Sequence, residues 1–298
     1  MTVAEALNVQ QRTVSSREAE VLLANVLGKS REQLHTHPET LLLGFQASNY
    51  ERSLLRREQN EPVAYIVGHK EFYGRRFATD KRALIPRPET EALIDLAVSQ
   101  QAASFQASLR TTGKPCPRRI LELGTGSGNI ALTLAHEYSL KGVPIRMTAT
   151  DIDERALMLA QENAAALTVP SLTQLKWVQA DLFDSLEVTH DAPYDLVVAN
   201  LPYVPTTWRQ NSLAQQEVLF YEPDVALFGG ETGTDIYRRF WHGIPLVLHA
   251  EGQVLIEFDH GQADVMLAYA QAALPDYAFS VFTDYAGLER ILQGLPLL

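Results

Sequence analysis

Apolar and polar positions change their spacing twice along the chain. Over the first sixty or so residues the spacing is helical: Val21, Leu22, Ala24, Leu27 and Leu34 supply apolar positions, and Gly28-Lys29-Ser30 interrupts them. Ser15 and Glu18 stand at capping-box distance, which predicts a helix start there. After a loop at Gly44 a second helix is predicted over Asn49 to Gln59, with Leu54 and Leu55 turned inward. From Ala64 to Leu84 short β-prone runs are separated by Gly68, Gly74 and Thr79-Asp80, the pattern of a hairpin linker. Pro86-Arg87-Pro88 blocks helix until Glu89-Thr90-Glu91 opens the apolar helix Ala92 to Val98. Residues 99 to 118, rich in Ser, Gln, Ala, Thr and Pro, read as a loose helix end and a loop.

Beyond that loop, strand-like and helix-like runs alternate. ILELG (120–124) precedes a helix over Asn129 to Tyr138, and IRMTATD (145–151) precedes one over Glu154 to Ala166. LKWVQAD (175–181) and DLVVAN (195–200) follow as strands. GQVLIEF (252–258) leads to a helix over Gln262 to Ala273, and a strand near Ala278 to Phe282 is predicted to end the core. This alternation predicts an α/β fold, a doubly wound and largely parallel sheet with helices on both faces.

Composition narrows the class. With 298 residues, 46% hydrophobic and 20% charged, the chain has the make-up of a globular protein of one large domain or two smaller ones. No apolar run approaches the roughly 18 residues of a membrane span, and the amino terminus lacks both a basic start and an apolar core. A cytoplasmic protein with no membrane partner is expected. Cys116 is the only cysteine, so no internal disulfide and no structural metal cluster are expected. Net charge is −11, unevenly placed: residues 1 to 92 carry 13 basic and 12 acidic side chains, residues 93 to 298 carry 12 and 24. An acidic body of this kind disfavours direct nucleic-acid binding, which draws its affinity from Lys and Arg contacts to phosphates. The exception is the stretch holding Lys70, Arg75, Arg76, Lys81, Arg82 and Arg87, either a local basic patch or a solvated connector.

In an open α/β sheet, ligands sit beyond the carboxyl ends of the strands, and four of those ends are chemically marked. Gly124-Thr125-Gly126-Ser127-Gly128 places three glycines at alternate positions, letting backbone approach a ligand where a Cβ would clash. The spacing is G-x-G-x-G rather than the G-x-G-x-x-G of pyrophosphate-binding turns, which favours a ligand without phosphates such as S-adenosylmethionine. Asp151, 27 residues after Gly124, is suited to accept two ribose hydroxyls, with Asp153 as the next helix's cap. Asp181 can accept from an adenine amine, with Leu182 or Phe183 as an apolar wall. The fourth end is VVANLPYVP (197–205): Asn200 offers an amide, Pro202 pins Leu201 to extended geometry, and Tyr203 presents a flat face. Asn200 and the Leu201 carbonyl can together hold a planar amide or amino group.

These motifs resemble those of the release-factor glutamine methyltransferases, the HemK-like branch of class I S-adenosylmethionine-dependent enzymes. The likeness runs through EAEVLLANVLGKSR (18–31), EPVAYIVGHKEFYG (61–74), LIPRPETE (84–91), ELGTGSGNIAL (122–132), ATDIDERALMLAQENA (149–164), YEPDVALFGGETGTDIYRRF (221–240) and DYAGLERI (284–291). LIPRPETE followed by the glycine loop, and DYAGLER, are the specific parts. The resemblance implies a Rossmann-like methyltransferase sheet (89–298), a β-hairpin linker (69–88) and an amino-terminal helical substrate-recognition domain (1–68). It implies S-adenosyl-L-methionine at Gly124 to Gly128, Asp151, Asp181, Leu182 and Asn200. It further implies Asn200, Leu201, Pro202 and Tyr203 as the grip on a substrate glutamine, which lies in the Gly-Gly-Gln loop of a peptide chain release factor; a monomer is the working expectation. Position 201 is Leu where the family usually has Pro, and NLPY is also the pattern of ribosomal RNA adenine dimethylases. Leu supplies the same carbonyl. A ribosomal-protein glutamine methyltransferase and an adenine N6-methyltransferase are the alternatives within methyl transfer.

Overall fold

The computed structural model describes residues 1–8, 12–99, 117–208 and 221–297, so most of the loop expected over 99 to 118 lies outside the described residues. Five short helices come first: α1 (Val3–Ala6), α2 (Ser16–Leu27), α3 (Arg31–Thr36), α4 (Gly44–Glu58) and α5 (Val63–Val67). Thr2, Ser15 and Ser30 each cap a helix through a reciprocal capping box, and Gly28, at φ 62°, ends α2. The expected second helix begins five residues early, at Gly44, because the Gln46 side chain accepts the Leu43 N–H at 2.9 Å and supplies a cap that no Ser, Thr or Asp announces. Leu54 is buried as expected, but Leu55 is 49% exposed, since adjacent helical positions face 100° apart. Val3, Leu22, Leu23, Leu34, Tyr50 and Leu54 form a core separate from those of the sheet.

Helix α5 takes up Ala64 to Val67, residues expected in the hairpin, and Gly68 ends it at φ 80°. The hairpin itself pairs β1 (His69–Phe72) with β2 (Arg75–Ala78) antiparallel. Its turn residues Tyr73 and Gly74 both have positive φ, as a turn matched to strand twist requires. Asn163 fastens β2 to the sheet domain: its Oδ1 accepts the Ala78 N–H at 2.7 Å and its Nδ2 donates to the Ser127 carbonyl at 2.9 Å. Three of the six basic side chains in this stretch are neutralised within the chain, Arg75 by Glu137, Arg82 by Asp80 and Glu162, and Arg87 by Glu222. The stretch is therefore an ion-paired fastening rather than a broad basic patch.

A 3-10 turn (Pro88–Thr90) and α6 (Glu91–Ser99) lead into the sheet. The elements are β3 (Arg118–Leu123), α7 (Asn129–Leu140), β4 (Ile145–Asp151), α8 (Glu154–Leu167), β5 (Thr173–Gln179), α9 (Leu186–His190) and β6 (Tyr194–Asn200). They continue with α10 (Asp224–Leu227), α11 (Asp235–Val247), β7 (Leu248–Glu257), α12 (Ala263–Ala273), β8 (Tyr277–Thr283) and β9 (Glu289–Pro296). Strand order is β5-β4-β3-β6-β7-β9-β8, parallel from β5 to β7, with β9 antiparallel to both its neighbours. The expected last strand is thus not the last. DYAGLER begins in the turn after β8, and β9 returns to slot between β7 and β8. Its buried run Ile291 to Gly294 shows no simple alternation because both its faces are covered.

Candidate active site

The carboxyl ends of β3, β4, β5 and β6 open into one cleft of about 1020 Å³ including its mouth. Gly124, Thr125, Gly126, Ser127, Asp151, Asp181, Leu182, Asn200, Leu201 and Pro202 all line it. Four strand ends separated by up to 78 positions, Gly124 to Pro202, therefore form a single site.

After β3 the chain turns through Gly124 and Gly126 at φ +73° and +56°, a region that side chains other than glycine rarely occupy. A Cβ on Gly124 would sit 3.0 Å from Leu201 Cδ2, so this glycine also makes room for the first residue after β6. Gly128 does not line the cleft. It caps α7 at φ +78°, and a Cβ there would meet Ala160 and Trp177 at 3.1 Å, so its smallness serves the packing of α7 on α8. The Thr125 hydroxyl points inward and donates to Glu122 Oε2 at 2.7 Å. Burial pushes the Glu122 carboxyl up to about 8.

Asp151 ends β4 with its carboxylate clamped by backbone: Oδ2 accepts the Gly126 N–H at 2.8 Å and Oδ1 accepts the Asp153 N–H at 2.9 Å. Burial raises its pKa, and these two N–H groups oppose the rise. Each oxygen keeps a lone pair for another donor. Asp153 caps α8, its Oδ1 accepting the Arg155 N–H at 2.9 Å, as its position predicted. Beyond β5, Asp181 Oδ2 is paired with Arg239 at 2.8 Å, an engagement the sequence did not announce. Leu182, at φ 55°, lines the cleft, whereas Phe183 turns into the core against Phe240 and the bare Cα of Gly243.

At the end of β6 the Asn200 Nδ2 donates to Thr90 Oγ1 at 3.1 Å, which leaves its Oδ1 as the acceptor not committed to that bond. The Leu201 N–H donates to the Tyr237 hydroxyl at 3.1 Å, and that hydroxyl in turn donates to the Glu257 carbonyl. The Leu201 side chain is buried beneath the glycine loop. Tyr203 is not among the lining residues: its hydroxyl faces Glu257 Oε1 at 3.5 Å, and burial raises its pKa. The segment after Asn200 is held by 227–233. The Val204 N–H donates to the Leu227 carbonyl and the Gly229 N–H to the Val204 carbonyl, at 2.9 and 3.0 Å. A Cβ on Gly229 would come within 2.4 Å of the Pro202 carbonyl oxygen, and one on Gly233 within 2.2 Å of that of Tyr203.

Several supporting residues carried no assigned chemistry in the sequence reading. Glu222, 4% exposed, accepts the Ile85 N–H at 3.1 Å and the Arg87 guanidinium at 2.6 Å, fixing the cleft-lining run Ala83 to Arg87. Thr90, Tyr237 and Glu257 complete the surroundings of Asn200 and Leu201. Glu222, Gly229, Gly233 and Thr90 lay inside the family-like stretches LIPRPETE and YEPDVALFGGETGTD. Glu257 was signalled only as a carboxylate between Val254-Leu255-Ile256 and Phe258.

A seven-stranded sheet of this order, with a glycine loop after the first of its strands along the chain and an acid closing the neighbouring one, defines a Rossmann-like class I methyltransferase. The PrmC N-terminal domain family matches residues 3–68, and a methyltransferase domain family matches residues 120–218. The release factor glutamine methyltransferase of Koribacter versatilis (strain Ellin345) is 35% identical over 93% of this chain and 89% of its own length. That of Chlorobaculum tepidum is 36% identical over 92% and 88%. The chain belongs to the release factor glutamine methyltransferase family. Among solved structures, the hMettl16 catalytic domain in complex with MAT2A 3'UTR hairpin 6 superposes with a TM-score of 0.51 at 14% identity, over 85% of this chain and 82% of that one; this is a likeness of fold alone.

Proposed function

We propose that this protein transfers a methyl group from S-adenosylmethionine to the side-chain amide nitrogen (N5) of a glutamine, the one in the Gly-Gly-Gln loop of a peptide chain release factor. The observation that carries this reading is the tethering of Asn200. With its Nδ2 bonded to Thr90, its Oδ1 is the acceptor left at the end of β6, in the same cleft as the glycine loop and Asp151.

The residues present fit the cofactor. Gly124 and Gly126 hold backbone where a Cβ would strain or clash, and Asp151 keeps two oxygens with lone pairs to spare for ribose hydroxyls. Leu182 offers an apolar wall for the adenine, and Asp181, although paired with Arg239, stands at the same end of the cleft. When bound there, S-adenosylmethionine supplies a methyl group on a positively charged sulfur.

An amide nitrogen is a weak nucleophile because its lone pair is shared with the carbonyl. The chain's contribution is then chiefly positioning and electrostatics. Asn200 Oδ1 and the Leu201 carbonyl accept the two N–H groups of the glutamine amide, aim its nitrogen, and favour the positive charge that builds there. The nitrogen bonds the methyl carbon as the methyl–sulfur bond breaks, the sulfur leaving as a neutral thioether, and then loses one proton to water. Pro202 keeps Leu201 extended so that its carbonyl faces the site. Tyr203, outside the lining, supports this turn from behind.

In this reading the helical residues 1–68 receive the body of the release factor, residues 69–88 fasten them, and residues 89–298 hold the chemistry. The test is to incubate the protein with labelled S-adenosylmethionine, a release factor, a ribosomal-protein mixture and total RNA together. Label on the release factor is expected; label on RNA or on ribosomal protein instead would overturn the proposal.

A further inference from the structure

A buried carboxylate stands directly behind the proposed substrate grip. Glu257 closes β7 and is register-paired with Asn200 at the end of β6. It is 1% exposed and follows the apolar run Val254-Leu255-Ile256. Its backbone carbonyl already accepts the Tyr237 hydroxyl, so the side chain is not needed to complete the strand end. Among the described residues Oε1 faces the Tyr203 hydroxyl at 3.5 Å, a distance at which little bond energy remains, and no closer donor within hydrogen-bond distance reaches Oε2. A carboxylate so placed costs several kcal/mol in desolvation unless it is used.

The neighbouring hydroxyl shows a use. Thr90 Oγ1 accepts from Asn200 Nδ2 at 3.1 Å, and Thr90 is itself 1% exposed, so its own proton must go to a protein acceptor. The Glu257 carboxyl lies beside both the Thr90 and Asn200 side chains, which favour its charged form. Directionality follows from donor and acceptor inventories. A carboxylate can only accept, so a Thr90 hydroxyl turned toward it presents a lone pair to Asn200. Asn200 must then turn its NH₂ inward and its oxygen toward the cleft. An amide flipped the other way would place two donors against a glutamine NH₂ and could not hold it.

We propose that Glu257 and Thr90 form a polarity relay, a pair of positioning residues that locks the Asn200 amide in its acceptor-out orientation. The inference rests on the functional reading above, in which Asn200 receives a planar NH₂ group. Protonation of Glu257 breaks the relay, because a neutral carboxyl can donate to Thr90 and compete with Asn200. Burial pushes this carboxyl up to about 7. Facing it are Arg290 on β9 and Glu89 on the 3-10 turn, of opposite effect, with Tyr203 after β6 and Tyr237 on α11 as neutral phenols.

The test uses the full chain with Glu257→Gln, Thr90→Val and Thr90→Ser. Glu257→Gln is expected to lower kcat on release factor by on the order of 10- to 100-fold, the loss that slight misplacement of a reacting group produces, while S-adenosylmethionine Kd stays within about twofold of wild type. Thr90→Val behaves like it, and Thr90→Ser recovers activity relative to Thr90→Val. The wild-type kcat rises with pH through a midpoint near that of Glu257, and Glu257→Gln removes that inflection. Unchanged kcat and pH profile in Glu257→Gln overturn the relay alone; a wild type that leaves release factor unlabelled overturns the functional reading instead. Side-chain NH₂ resonances of Asn200 followed by NMR decide the relay independently of substrate and of any fall in melting temperature. They are expected to titrate with pH in wild type and not in Glu257→Gln, and identical behaviour in both would refute it.

Discussion

On the cofactor side of the cleft, the contacts of the glycine loop and Asp151 join residues near one another in the chain and only the Asp181–Arg239 pair reaches farther, whereas on the acceptor side every contact is long-range. Gly126 donates to Asp151, 25 positions away, and Asp153 to Asp151, two away. Asn200, by contrast, is held by Thr90 at a separation of 110, Leu201 by Tyr237 at 36, and the wall at Ile85 to Arg87 by Glu222 at separations of 137 and 135. The cofactor side is a product of successive βα turns and is as local as those turns. The acceptor side has to discriminate one planar group by direction of hydrogen bonding, which needs donors and acceptors from several elements at once.

That contrast predicts different failures on the two sides. The largest effect is expected from Asn200→Ala, which removes the acceptor: single-turnover methylation should fall by about 10²–10³-fold, the loss typical of one preorganised polar group, with cofactor affinity little changed. Next is Gly233→Ala, whose Cβ would lie 2.2 Å from the Tyr203 carbonyl oxygen. It should destabilise the fold by about 2–3 kcal/mol in urea unfolding and depress kcat through the displaced turn. Its counterpart across the cleft, Gly126→Ala, meets nothing closer than Ala83 Cβ at 3.8 Å and bears only the cost of φ +56°. About 1–2 kcal/mol is expected there, read in cofactor Kd by calorimetry and not in kcat. If both variants altered the same parameter, the division between the two sides would be wrong. Arg87→Ala leaves Glu222 buried with its charge unmatched, but Arg87 is partly exposed and screened, so a loss of about 2 kcal/mol in unfolding free energy is expected.

A further effect is one of pH. Glu122 has its pKa raised from 4.5 to about 8 by burial beside the glycine loop. Below about 4.5 both folded and unfolded chains hold that proton; as pH rises toward 8 the unfolded chain releases it while the folded one keeps it. Stability therefore falls with rising pH across this window and levels off above it. Glu122→Gln retains an acceptor for Thr125 and should flatten the fall in melting temperature between pH 5 and 8. Parallel curves for the two proteins would show that Glu122 is not the group responsible.

The same contrast explains what could be read from sequence. The glycine loop, Asp151, Asp153 and the strands β3 to β6 were legible because a βα unit writes its turn chemistry beside its apolar run. Helix α4 began early, and β9 was missed, for the opposite reason. One was capped by a glutamine not recognisable as a cap, and the other is a strand buried on both faces whose run shows no alternation. Asn200 to Pro202 were legible as a polar strand end, yet Tyr203 was expected as a wall and instead packs behind the turn, because 227–233 and Gln262 hold its backbone away from the cleft. Glu257, Thr90 and Glu222 could not be assigned from spacing at all. The roles of Glu257 and Thr90 arise only when register places β7 beside β6 with the 3-10 turn against β6, and that of Glu222 only when it meets Ile85 and Arg87 across the cleft wall.

What Asn200 receives is a glutamine amide presented by a release factor. Tandem mass spectrometry of release factor after reaction with this protein and S-adenosylmethionine tests it most directly. One methyl group is expected on the side-chain nitrogen of the Gly-Gly-Gln glutamine, absent when Asn200→Ala replaces the wild type; a methyl group on any other residue, or an unmodified release factor, would refute this assignment.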